Sequence, residues 1–262
     1  MATDLDGTLV TGGHLIPERN RQAIREAHRR GVHIVLASGR MHHSTAEFAE
    51  KLGLGDEPII SYNGAMVKTA ETGRLLLHDP LPADLADEIL AYAVANELQI
   101  HYYLDDIMYV TRASHWAVGY YKRTGSMPVP VGDMRKFAGN EPTKILVLAP
   151  ADQAERLLAE GRRLYEDRVY VTRSLSQYVE YLSITASKGR ALRFVAEHLG
   201  ISLEATMACG DMINDQPMVE AAGIGVAMAH SPEAVRAAAD YVTSEGAEGV
   251  AEAIEKLVLN DQ

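Results

Sequence analysis

Short apolar runs alternate with amphipathic stretches near both ends of this chain. That alternation constrains the fold more than any other feature of the sequence. "VHIVLAS" (residues 32–38) has the length and β-branched content of a buried strand. The stretch before it, "PERNRQAIREAHRRG", has a helical pattern that opens at Pro17 and stops at Gly31. "EPIISYNG" reads as a further strand running into an Asn-Gly turn, and "EATMACGD" and "GIGVAMA" read as two more with a helix between them. Strands that are apolar throughout and separated by helices belong to a parallel sheet covered on both faces.

The middle of the chain follows another rule. From about residue 81 to 184, helices ("ADLADEILAYAVANE", "ADQAERLLAEGRRLYED") accompany strands that come in pairs: "LQIHYYL" with "IMYVT", and "RVYVTRS" with "QYVEYLSI". "LDDI" marks a hairpin turn between the first pair. Paired neighbouring strands predict an antiparallel sheet, hence a separate α+β module. The expected organisation is therefore one parallel-sheet core closed by residues 1–80 and 185–262, with residues 81–184 inserted as a second domain. With 262 residues, 47% of them hydrophobic, the chain has material for both cores.

In open α/β sheets, ligands bind beyond the carboxyl ends of the strands. Four polar clusters fall there: "DLDGT" (4–8), "SGR" (38–40), "SKG" (187–189), which opens a helix, and "GDMIND" (210–215). Asp4, Asp6, Asp211 and Asp215 offer hard oxygens of the kind Mg2+ prefers. Lys188 offers a fixed positive charge at a helix start, where a lysine is otherwise unfavourable. Ser38, Thr8 and Asn214 offer uncharged hydrogen bonds, while Gly7 and Gly39 let backbone N–H groups approach a ligand. Carboxylates, a divalent cation, one lysine and backbone donors together suit phosphoryl transfer. No glycine-rich G-x-x-x-x-G-K-[ST] loop is present.

With these motifs assembled, the chain resembles the haloacid dehalogenase superfamily of aspartate-nucleophile phosphatases, in particular the Cof-type of subfamily IIB. The family's D-x-D-G-[TV] matches residues 4–8, its strand-end Ser/Thr matches Ser38, its lysine matches Lys188, and its G-D-x-x-N-D matches 210–215. "YNGA" (62–65) is similar to that subfamily's third-strand loop. The resemblance implies an α/β fold: a Rossmann-like parallel-sheet core with an inserted α+β cap domain of the C2B type. It implies Asp4 as nucleophile, forming an aspartyl-phosphate, and Asp6 as general acid and then base. Mg2+ would be held by Asp4, the Asp6 carbonyl and Asp211, with Asp215 orienting the waters around it. Ser38 and Lys188 would hold the phosphoryl oxygens, helped by the backbone at Leu5 and Gly39, and Asn214 would contact phosphate or fix Lys188. The implied function is Mg2+-dependent hydrolysis of a small phosphorylated metabolite, with sugar phosphates the commonest class. Related mutases share core and cap, so a phosphomutase or other phosphotransferase is the alternative. A non-catalytic metal-binding regulator is a third reading, against which the intact set Asp4, Asp6, Lys188 and Asp211 argues.

Two departures stand out. Only Met1, Ala2 and Thr3 precede Asp4, a central strand short enough to cost stability. Met212 stands where many relatives have a small or polar residue.

Lys and Arg total 25 against 36 Asp and Glu, a net charge of −11, which disfavours nucleic acid as a partner. A small anionic substrate needs only local positive charge. The single cysteine, Cys209, precludes an internal disulfide and fits a reducing compartment. No apolar run has the length of a membrane span, and the start "MATDLDG" is unlike a signal peptide, so a cytoplasmic location is expected and no membrane partner. Cys209 reads as a small core residue and the tyrosines of "IHYYL" and "GYYKR" as packing. Arg40 and His42, beside the second motif, read as a solvated face at least as readily as substrate contacts. Glu180 is not assigned to the site, and the ten histidines show no metal-ligand spacing.

Overall fold

The first strand, β1 (Ala2–Asp4), is only three residues long and is buried throughout. In the computed structural model, which describes residues 1–12, 14–244 and 246–260, it is paired in parallel on both sides. Ala2 and Thr3 face Ala208 and Cys209 on one flank, and Ala2 to Asp4 face residues 35–37 on the other. The Met1 carbonyl accepts from the Val35 N–H at 2.8 Å, lengthening the ladder by one residue. Two pairing flanks offset what so short a strand lacks in length.

Helix α1 (Glu18–Arg29) begins after Pro17, whose fixed φ suits a helix start, and ends before Gly31, which has φ +88°. Then follow β2 (Val35–Ala37), α2 (His42–Leu52), β3 (Pro58–Ser61), the antiparallel β4 (Met66–Thr69) and β5 (Leu75–His78). After the insertion come α6 (Lys188–His198), β12 (Met207–Gly210), α7 (Gln216–Ala221), β13 (Ile224–Ala227), α8 (Glu233–Ala237), β14 (Tyr241–Val242) and α9 (Gly249–Ile254), the labels α3–α5 and β6–β11 belonging to the insertion. The eight strands lie in the order β14-β13-β12-β1-β2-β3-β4-β5, parallel from β14 to β3.

Alternate side chains divide this sheet between two covers, as a strand period of two requires. Leu36, Ile59 and Cys209 pack with Ile24, Phe48, Leu52, Val250 and Ile254 on one face, whereas Ala2, Val35, Ile60 and Ala208 pack with Leu192, Val195 and Met218 on the other. Cys209 is fully buried in the first of these layers, and burial pushes its thiol up to about 12. The chain runs outward from β1 through β2 to β3 and returns on the opposite flank from β12 to β14. The strand order therefore reverses between β1 and β12, the switch point at which open α/β sheets bind ligands.

Residues divide into two compact units, Met1–Leu77 with Ser187–Gln262, and His78–Ala186. The second unit contains α3 (Ala83–Ala95), β6 (Gln99–Leu104), β7 (Ile107–Val110), α4 (His115–Thr124), β8 (Pro128–Pro130), β9 (Lys144–Leu148), α5 (Ala151–Tyr165), β10 (Val169–Thr172) and β11 (Tyr178–Ser183). Its sheet runs β10-β11-β9-β6-β7-β8, antiparallel except between β7 and β8. The β6–β7 hairpin turns on Asp105 and Asp106, both left-handed at φ +53° and +58°, the two-residue turn whose twist matches its strands. Ile100, Tyr102, Ile145, Val147, Val179 and Tyr181 pack against α3 and α5 through Leu85, Ile89, Leu90, Leu157 and Leu158. Residues of opposite register include Lys144 and Glu180, a buried ion pair at 3.1 Å. Tyr102, Tyr103 and Tyr120 are buried, and Tyr121 is exposed. No helix among the described residues is long and apolar enough to cross a membrane.

Candidate active site

The site is built at the carboxyl ends of β1, β2 and β12 and the start of α6. Asp4 closes β1 and is 5% exposed. The chain then turns at Gly7, with φ +94°, directly under Asp211: a Cβ there would lie 2.6 Å from Asp211 Oδ2. Thr8 Oγ1 donates to Asp211 Oδ1 at 2.8 Å, joining the first motif to the last. Gly210 is as tightly restricted, since a Cβ would meet the Asp215 Cβ at 2.4 Å. At both glycines the backbone is pressed against the side chain of a motif aspartate.

Lys188, wholly buried at the start of α6, donates from Nζ to Asp4 Oδ1 and to Asp215 Oδ1, each at 2.5 Å. The second Asp215 oxygen accepts the backbone N–H groups of Asp211 and Met212, both at 3.0 Å. Carboxylate oxygens of Asp4, Asp211 and Asp215 all lie within 4.8 Å of one another. Three buried carboxylates thus crowd together, and Lys188 pairs with two of them, Asp4 and Asp215. Burial, then the charge of Asp215, pushes the Asp4 carboxyl well above its usual range, with Lys188 only partly offsetting them. The same two causes raise Asp211, against the Thr8 hydrogen bond. Burial opposes the charge of Lys188, but Asp215 and Asp4 together outweigh it and raise the lysine. A cluster with surplus negative charge and only oxygen donors suits a small divalent cation such as Mg2+, which would relieve the repulsion.

Ser38 follows β2 and is buried. Its N–H donates to the Ile60 carbonyl at 2.8 Å, and its Oγ accepts from the Arg40 N–H at 3.1 Å. Gly39 is pressed against Asn63, whose Oδ1 would lie 2.9 Å from a Cβ there. Asn214 donates from Nδ2 to that same Oδ1 at 3.0 Å. The Leu5 side chain is in the core, while its carbonyl accepts the N–H groups of Thr8 and Val10.

Asp6 sits apart from the other carboxylates in its contacts. Both its oxygens are held by Arg40, with Nε 2.7 Å from Oδ2 and Nη2 2.6 Å from Oδ1. Arg40 is 3% exposed, stacked over Phe48, and His42 is 7% exposed. The solvated-face reading of both residues is therefore wrong. Arg40 follows a strand end and turns inward because the fork of Asp6 is there to receive it. His230 is a further neighbour of the cluster that no motif announces: its Nε2 lies 3.4 Å from Asp211 Oδ2. Its sequence signal is position, since it lies just past β13 as Asp211 lies just past β12.

A model of the haloacid dehalogenase-like hydrolase family matches residues 1–254. The 5-amino-6-(5-phospho-D-ribitylamino)uracil phosphatase YcsE of Bacillus subtilis is 32% identical over 266 residues, covering 99% of this chain and 95% of that protein. Phosphatase YwpJ, also of B. subtilis, is 29% identical over 284 residues, covering 98% and 99%. A crystal structure of a haloacid dehalogenase-like hydrolase from Bacteroides thetaiotaomicron is similar at a TM-score of 0.88 with 29% identity, covering 97% of each chain. With its Rossmann-like parallel core, its second α/β unit and this likeness along nearly its whole length, the chain belongs to the haloacid dehalogenase-like hydrolases, among their phosphatases.

Proposed function

We propose that the protein is a Mg2+-dependent phosphatase that hydrolyses a small phosphorylated metabolite, a sugar phosphate or similar phosphomonoester, through an aspartyl-phosphate on Asp4. One observation carries this reading. The carboxylate that closes β1 is bound by a buried lysine, among three carboxylates that need a further cation. The ribityl phosphate named for one relative supports the substrate class.

In this reading an oxygen of Asp4 attacks phosphorus while the bond from phosphorus to the leaving oxygen breaks. That oxygen departs with a proton from Asp6, which must release one of its Arg40 contacts to reach it. A water then attacks the phosphorus of the aspartyl-phosphate and passes a proton to Asp6. The bond to Asp4 breaks, and inorganic phosphate leaves. Lys188, the Ser38 hydroxyl, Asn214 and the N–H groups of Leu5 and Gly39 bind the phosphoryl oxygens. Asp215 fixes Lys188 and the 211–212 backbone. Mg2+, held by Asp4, Asp211 and the Asp6 carbonyl, would neutralise phosphoryl charge.

A panel of phosphorylated metabolites, scored by phosphate release with Mg2+ and with EDTA, tests the reading. Asp4→Asn should be inactive. Asp6→Asn, given a nitrophenyl or acyl phosphate whose leaving group needs no proton, should accumulate phosphoryl label on Asp4, seen by mass spectrometry after rapid quench. Label on another residue, or turnover by Asp4→Asn, would sink it. Phosphate release without any bisphosphate activator separates hydrolysis from mutase chemistry.

A further inference from the structure

Between β3 and β4 the chain passes through three successive left-handed residues: Tyr62 at φ +51°, Asn63 at +56° and Gly64 at +96°. Only the glycine adopts this region freely. A fully buried tyrosine there is strained, so the surrounding contacts must impose it. They come from the phosphate-binding segments themselves. Tyr62 N–H donates to the Arg40 carbonyl and Asn63 N–H to the Ser38 carbonyl, both at 3.0 Å. Gly64 lies against the backbone before Lys188, where a Cβ would be 2.2 Å from the Ser187 carbonyl oxygen. Asn63 Oδ1 accepts from Asn214 and packs on Gly39. One turn thus touches the segments bearing Ser38, Lys188 and Asn214.

We propose that Asn63 is a positioning residue for phosphoryl binding, acting through Asn214; the inference rests on the phosphatase reading above. A primary amide carries two N–H groups in fixed relative directions. With one donated to Asn63, the other is aimed, and Asn214 meets a phosphoryl oxygen without having to be ordered first. Glycine at residue 63 would relax the backbone, so asparagine is there for its side-chain acceptor. Its own conformational tolerance of the left-handed region allows both needs to be met by one residue.

The test is a double-mutant cycle on inorganic phosphate as competitive inhibitor, in Mg2+ buffer. Asn63→Gly keeps the backbone and deletes the acceptor. Its Ki for phosphate should rise about tenfold, the loss of one charge-assisted hydrogen bond, with the urea midpoint little changed. In an Asn214→Ala background, the same substitution should shift Ki less than about twofold. An unchanged Ki in Asn63→Gly, or a full shift persisting without Asn214, overturns the inference. A measurement on the wild type needs no variant. With 15N-labelled asparagine, one Asn214 side-chain proton should be protected from exchange in the free enzyme and the other only after phosphate is added. Equal protection of both before phosphate, or no change on adding it, overturns the inference as well. If the wild type releases no phosphate from any phosphomonoester, the phosphatase reading fails instead, a separate outcome.

Discussion

Lys188→Met removes a charge and keeps most of the volume, so it isolates the electrostatics of the site. Nζ touches Asp4 and Asp215 at 2.5 Å each, and the lysine is fully buried. Deleting it leaves two buried carboxylates whose oxygens lie within 4.8 Å of each other. At that separation and an effective dielectric of about 20, two unit charges repel by about 3.5 kcal/mol. Breaking buried pairs by removing one partner costs about 3–5 kcal/mol, in agreement. The loss should therefore reach about 3–5 kcal/mol at pH 7.5 in EDTA, read by urea unfolding with far-ultraviolet circular dichroism. The sign of its pH dependence follows from which state holds the proton. In the variant, the folded carboxylates bind a proton more tightly than the unfolded chain does. The stabilisation from that proton is present at low pH and lost as pH rises, so the gap to wild type should shrink to roughly half by pH 5. A loss under about 1 kcal/mol, or one equal at both pH values, would show that Lys188 is not the counter-charge of this cluster.

Because Asp4 and Asp211 are raised in the folded protein, metal-free protein should lose stability as pH rises above the ordinary carboxylate range. Added Mg2+ should accordingly raise the melting temperature more at pH 8 than at pH 5.5, and equal shifts would argue against a site at these residues. Arg40→Ala deletes the two hydrogen bonds by which Arg40 orients the Asp6 carboxylate; turnover of an alkyl phosphate should fall about 100-fold, the lower end of general-acid effects, while a nitrophenyl phosphate should lose much less. Equal losses on both substrates would make Arg40 a structural residue only. His101 in the second unit is pushed down to about 3 by burial, then by the charge of Lys144, so the unfolded chain protonates first. Its contribution is lost as pH falls below the unfolded value near 6.5: about 2 kcal/mol between pH 6.5 and pH 5. His101→Phe, which keeps the edge-on contacts with Tyr103 and Tyr120, should flatten that slope in acid urea titrations.

What the sequence discloses and what it withholds divide along a physical line. Strand and helix identity in the core are legible because they follow from local periodicity: Pro17 and Gly31 bracket α1, and the runs ending at Ala37, Gly210 and Ala227 are strands. A central strand of the second sheet, β9, escapes a reading by neighbouring pairs, although "KILVL" is apolar after its lysine, because β9 pairs with β6 and β11 across long sequence gaps. In the site, the acidic and basic residues are legible by type, since their chemistry is carried by the side chain alone. The contacts of Arg40, Asn63 and His230 are not, because each depends on a partner far along the chain. Arg40 reaches back to Asp6, Asn63 forward to Asn214, and His230 back to Asp211. An arginine after a strand end has the same local signature whether it is solvated or forked on a carboxylate. The difference is made by the parallel register that sets β1 beside β2, and register is a property of the sheet. The glycines of the motifs are the exception that links the two levels. Gly7, Gly39 and Gly64 each lack the one atom that a distant residue would strike: Asp211, Asn63 and Ser187 in turn. A motif glycine is thus a local record of a long-range contact. Each one poses the question of which residue stands over it, and at Gly39 the answer is Asn63, in the turn that also touches the segments of Ser38 and Lys188.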